Sequence, residues 1–294
     1  MLSVNGRILA RHFIATLSND NSDLNRGLES SSGPILPLVV IAAPPRSGTT
    51  FLHALLASVP NARAIRGWQC VREPMNDEAS RTATRRTQRQ LLERLVPELL
   101  SLHPFAVSGP EELNQLGATL GLSLVHFVLF GVDGFTETER KMGSCYQGDL
   151  VPRGMAAHGI DLHGPSTDFV VVKCPQLYAL DDSAICWPGR VIHVNIVRDP
   201  ESWMDSWCTL IDQVQRRVLT APPELTRLRD SWSDIFQPGR AFDVEFDFAT
   251  LLSRPVTVVQ EIVRLAVGDS YSPDLSKVEE LVDFARAVRP QSIV

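Results

Sequence analysis

"VVIAAPPRSGTTFLHALL", residues 39–56, decides the fold. The run from Leu38 to Ile41 is continuously apolar and rich in β-branched residues, the pattern of a strand buried on both faces of a parallel sheet. Pro44-Pro45 stops the run. From Thr49 onward, Phe51, Leu52, Leu55, Leu56 and Val59 recur at helical spacing, so a short loop joins a strand end to a helix start. Such a junction suits an anion. The first helical turn leaves N–H groups without intrahelical acceptors, the helix dipole adds partial positive charge, and Gly48 lets the backbone approach a ligand closely. Arg46, Ser47, Thr49 and Thr50 add a guanidinium and hydroxyls. The plainer reading, in which Ser47 and Thr49 only cap a helix, leaves the coincidence of Arg, Gly and two Thr in one turn unexplained. A Walker A loop, GxxxxGK[ST], does not fit: with Gly48 as its second glycine, the first falls on Ala43 and Thr49 stands where the lysine belongs.

Composition narrows the class. At 294 residues and 44% hydrophobic content, the chain is expected to form one large α/β domain over residues 37–294, after a lead-in segment over 1–36 that reads as a short helix followed by a stretch, 18–34, rich in Ser, Asn, Asp and Gly. A net charge of −6 and a pI near 5.7 argue against a broad nucleic-acid footprint but permit a locally basic pocket. No window is apolar enough to span a membrane and no signal pattern opens the chain, so a cytoplasmic protein is the expectation. Cys70, Cys145, Cys174, Cys186 and Cys208 form no CxxC pair and read as reduced, buried thiols. His158, Asp161 and His163 stand among glycines and polar residues, which reads as an exposed loop in preference to a metal site.

Two further buried strands are expected at 169–174 and 190–197, and a weaker one at 241–246. Residues 78–102 and 111–130 read as helices, and 131–167 as a long irregular segment of the kind that shapes a substrate site. Strands alternating with helices predict a doubly wound parallel sheet. The stretch "VNIVRDPESWMDSW" (194–207) offers a second anion site: Arg198 ends a strand, Asp199 is placed as an N-cap, and Pro200 suits the first helical position. Ser202 and Ser206, four apart, share one helix face, so an arginine and a helix hydroxyl could grip one phosphate from two sides. Taken alone, Arg198 is as readily an ion-pair partner of Asp199 or Glu201.

"PPRSGTT" followed by a strand-end "RDP", with a serine eight residues after the arginine, resembles the sulfotransferases that use 3′-phosphoadenosine 5′-phosphosulfate (PAPS), most closely their bacterial branch. "LHPFAVSGPEEL" (102–113), "VVVKCPQL" (170–177) and "FDFATLLSRPVTVVQEIVRLAVG" (246–268) also look like family segments, in family order. The resemblance implies a three-layer α/β fold related to P-loop nucleotide kinases. It also implies that Arg46, Ser47, Gly48, Thr49 and Thr50 bind the 5′-phosphosulfate, that Arg198 and Ser206 hold the 3′-phosphate, and that Lys173 stands near the transferring group. The acceptor implied is a small molecule with a hydroxyl or amine. Fixed cations and N–H groups would stabilise the developing charge without a metal, Arg46 and Lys173 being the candidates.

The sequence also departs from the family. The histidine that many relatives place two residues after the strand-end lysine is Pro175, and Trp68 is followed by Gln69 where bacterial relatives often carry glutamate. The base must then come from elsewhere: Glu73 is the first candidate, His103 the second and Glu112 the third. The basic, Gly-rich C-terminal segment of the family is not recognisable either. Two other functions compete with the resemblance, a nucleotide-dependent small-molecule kinase and a nucleotide-binding protein without catalysis.

Overall fold

Continuous apolar runs make the sheet. Strands β1 (Leu38–Ile41), β2 (Ala62–Ala64), β3 (Phe169–Lys173), β4 (Val191–Val197) and β5 (Val244–Asp247) lie in the order β2-β3-β1-β4-β5, and every neighbouring pair is parallel. The computed structural model describes residues 1–16, 36–71, 77–102, 105–113, 115, 128–130, 166–179, 187, 189–237 and 241–288. Most of the expected helix 111–130 and nearly all of the irregular segment 131–167 lie outside these, as do Glu73, His103, His158, Asp161, His163, Cys145 and Cys186.

The helices, in chain order, are α1 (Val4–Thr16), α2 (Thr49–Ser58), α3 (Glu78–Leu95), α4 (Pro97–Leu102), α5 (Pro200–Val218), α6 (Leu225–Ile235), α7 (Phe248–Ser253), α8 (Pro255–Val267) and α9 (Ser276–Val288). Val39, Ile41, Val171, Ile192 and Val194 point to the face covered by α2, α8 and α9. Leu38, Val40, Val170 and Val172 point to the other, against Ile65, Cys70, Leu113 and Leu177. Both faces of the central strands are therefore dry, as a parallel sheet requires. A third apolar cluster ties α5 and α6 to Leu9 of α1 through Trp203, Trp207, Trp232 and Phe236.

Three elements differ from expectation. Residues 78–102 form two helices, because Pro97 lacks an N–H and disfavours helical backbone at Val96, where α3 ends. The strand expected at 241–246 is displaced to Val244–Asp247: Asp243 accepts the backbone N–H of His193 at 2.7 Å, and Asp247 ends the strand by capping α7 at 2.7 Å. Strand β2, "ARA", has no apolar pattern of its own and exists by pairing with β3.

Register sets the site. Ile41 pairs with Lys173, and Val194 with Ile41 on the other side. The loop after β1, Lys173 and the residues after β4 thus meet at the carboxyl edge of the sheet, where doubly wound folds bind ligands.

Candidate active site

The loop between β1 and α2 closes on itself. Ser47, fully buried, donates its hydroxyl to the Pro44 carbonyl at 2.6 Å. Arg46 and Gly48 both adopt left-handed backbone, φ 67° and 92°. For Arg46 that is a strained choice of the kind found at ligand sites, and two such residues flanking Ser47 give the alternation of anion-binding nests. A side chain at Gly48 would meet both the wrong φ and the Phe248 ring at 2.9 Å. Leu52 makes the first helical bond, to the Gly48 carbonyl, so Thr49, Thr50 and Phe51 present N–H groups with no acceptor inside the helix. The loop thus gathers these N–H groups beside Gly48, with the Ser47 hydroxyl spent on the loop itself.

On one side of this loop stands Lys173. It is 3% exposed at the end of β3, donates to the Thr50 hydroxyl at 2.6 Å and forms an ion pair with Glu112. Glu112 reaches this position because residues 107–111 fold back along 65–68: Trp68 N–H bonds to Val107 O, Gly67 N–H to Gly109 O and Glu111 N–H to Ile65 O, at 2.8, 3.1 and 2.8 Å. The approach needs Gly67, since a Cβ there would lie 1.7 Å from the Ala106 carbonyl. Arg85 of α3 locks the segment by a buried pair with Glu111 at 2.5 Å, and Glu111 in turn accepts the Glu112 backbone N–H at 2.9 Å. Gln69 accepts the Arg66 N–H at 2.8 Å and so serves the turn before it.

On the other side, Asp199 caps α5 by accepting the Ser202 N–H at 2.8 Å, with Pro200 at the first helical position. Asp199 is therefore committed. Arg198 turns instead to the loop: one nitrogen bonds the Arg46 carbonyl, another donates to Ser202 Oγ at 3.1 Å, and its guanidinium covers the Phe248 ring at 4.7 Å. Arg46 donates through Nε to Ser206 Oγ at 3.1 Å. The loop after β1 and the start of α5 form one continuous cluster that Arg46 spans.

Of the residues singled out in the sequence, the structure brings together Arg46, Thr50, Glu112, Lys173, Arg198, Ser202 and Ser206 near Gly48. Phe248 and Arg85 were missed, and no local signal marks either. Among the described residues, no group of three or more His, Cys, Asp and Glu is placed to hold a metal, and no helix is long and apolar enough to cross a membrane. Cys70, Cys174 and Cys208 are buried thiols that form no disulfide. Burial pushes the Cys208 thiol up to about 11 and raises Cys70 as well, which removes both as nucleophiles near neutrality.

Solved structures share this architecture. Sulfotransferase STF1 from Mycobacterium tuberculosis H37Rv superposes with a TM-score of 0.64 at 17% identity, over 97% of this chain and 86% of that one. Sulfotransferase STF9 from Mycobacterium avium does so with 0.63 at 18% identity, over 99% of this chain and 79% of that one. No curated protein matches by sequence. The sequence model of the sulfotransferase family matches from residue 37, at the approach to β1, through residue 267, the last of α8, and a match over that much of the chain makes it a member of the sulfotransferase family.

Proposed function

We propose that the donor is PAPS, that the acceptor is a hydroxyl or amine of a small molecule, and that Glu112 is the base. The observation that carries this reading is the single cluster at the carboxyl edge of the sheet, with Arg46, Arg198, Ser202 and Ser206 at one end and Lys173, Thr50 and Glu112 at the other. Bound there, PAPS supplies an activated sulfuryl group whose S–O bond to phosphate breaks as the acceptor atom bonds to sulfur.

The residues fit that group chemically. Arg198 and Arg46 offer guanidinium donors, Ser202 and Ser206 hydroxyls, all at the exposed rim where a 3′-phosphate would replace their mutual hydrogen bonds. The α2 N-terminus and the Gly48 turn would hold the 5′ end. Lys173 would neutralise charge on the leaving oxygen, and its burial keeps water from screening it. Glu112, beside Lys173, would accept the acceptor's proton.

A sulfonation assay tests the whole reading: labelled PAPS with a panel of hydroxylated acceptors, compared with ATP plus Mg²⁺. Labelled product is expected from PAPS, with activity undiminished by EDTA, because the charge stabilisation is assigned to Lys173, Arg46 and backbone N–H groups. Transfer from ATP that EDTA abolishes and Mg²⁺ restores would overturn it in favour of a kinase.

The 3′-phosphate assignment has its own test. Arg198→Ala is expected to weaken binding of adenosine 3′,5′-bisphosphate by about tenfold or more, the scale of one charge-assisted contact of about 1.5–3 kcal/mol. Adenosine 5′-phosphosulfate, which lacks the 3′ group, should lose far less. Equal losses, measured by calorimetry, would count against the assignment.

A further inference from the structure

The helix that carries Ser202 and Ser206 also carries acid. Glu201 and Asp205 each precede one of those serines by one residue, so two carboxylates leave the helix beside Ser202 and Ser206, from neighbouring Cα atoms about 3.8 Å away. Asp199 adds a third at the helix start. Two guanidiniums, Arg46 and Arg198, are thus matched against three carboxylates, a balance that by itself disfavours a polyanion.

Arg229 of α6 corrects the balance. Its guanidinium spans both acids, one nitrogen on Asp205 and the other on Glu201. Those hydrogen bonds raise the Arg229 pKa further, so its charge is permanent. Both acids are well exposed, at 77% and 65% of the side chain, so the fork acts at the rim through charge rather than burial.

We propose that Arg229 is a specificity-determining residue for the donor: by neutralising Glu201 and Asp205 it makes the Arg46–Arg198 cluster selective for a nucleotide with a second phosphate. This rests on the PAPS reading above. Arg229 acts through the two carboxylates and does not itself contact the ligand. A residue that only stapled α5 to α6 would show neither salt dependence nor rescue by removal of the acids.

Arg229→Met is expected to weaken binding of adenosine 3′,5′-bisphosphate by about five- to tenfold at low salt, and the loss should fade near 1 M salt, where charges are screened within about 3 Å. Affinity for adenosine 5′-phosphosulfate should change by less than about twofold. Adding Glu201→Gln and Asp205→Asn to Arg229→Met should restore wild-type affinity. The Glu201→Gln, Asp205→Asn variant with Arg229 intact should bind the bisphosphate at least as tightly as wild type. Unchanged affinity in Arg229→Met, an undiminished loss once the acids are gone, or weaker binding in the Glu201→Gln, Asp205→Asn variant overturns the inference while leaving the PAPS reading in place. A wild-type protein that binds bisphosphate no better than phosphosulfate overturns that reading, and this inference with it.

Discussion

Replacing Lys173 with methionine is expected to lower turnover by about a hundred- to a thousandfold, the usual consequence of losing one fixed donor to a developing negative charge. Lys173 is buried at 3% exposure, tied to Thr50 on the first turn of α2, and one strand away from the loop between β1 and α2. Its charge is thus preorganised: little rearrangement is needed when the leaving oxygen gains electrons. Methionine keeps the length and apolar stem, so α2 and β3 stay packed. Bisphosphate affinity should fall much less than turnover, because the strongest ground-state contacts are assigned to Arg46 and Arg198. A drop in kcat with a nearly constant KM for the donor is the expected signature. Lys173→Arg should rescue poorly, since a planar guanidinium in a buried niche cannot take the position of a compact ammonium. Turnover within about tenfold of wild type in Lys173→Met would remove the lysine from the transition state.

Legibility in the sequence followed the range of the interactions involved. The central strands were readable because strands buried on both faces have no polar interruption: Leu38–Ile41 and Phe169–Lys173 are buried throughout. The cap at Asp199 and the serine pair on α5 were readable because they follow from spacing within one helix. Contacts across long sequence separations were not. Arg46 meets Ser206 across 160 residues, a contact that joins two motifs far apart in the chain. Glu112 meets Lys173 only because residues 107–111 return to 65–68 and Arg85, 26 residues before Glu111, pins them there. Nothing local distinguishes Glu112 from Glu111, yet one faces Lys173 and the other is spent on a buried arginine. The same lesson applies to Gln69, whose side chain closes a turn by accepting the Arg66 N–H.

Glu112→Gln is expected to lower turnover by about a hundredfold or more with an acceptor of ordinary alcohol acidity, and to leave bisphosphate affinity nearly unchanged. Glutamine is isosteric and still hydrogen-bonds, so the fold-back of residues 107–111 survives through Arg85 and Glu111. The change removes the negative charge and the ability to take a proton. Those two losses have different signatures. If Glu112 only holds Lys173 in place, every acceptor should suffer alike, because the lysine serves the leaving group whatever attacks. If Glu112 removes the acceptor's proton, the penalty should shrink as the acceptor becomes more acidic, since an attacking group that ionises by itself needs no base. Turnover of wild type and Glu112→Gln across phenols of falling pKa therefore separates the roles: a ratio that narrows toward one for the most acidic phenols supports proton removal. A constant ratio would make Glu112 a positioning partner of Lys173 and return the base to Glu73 or His103.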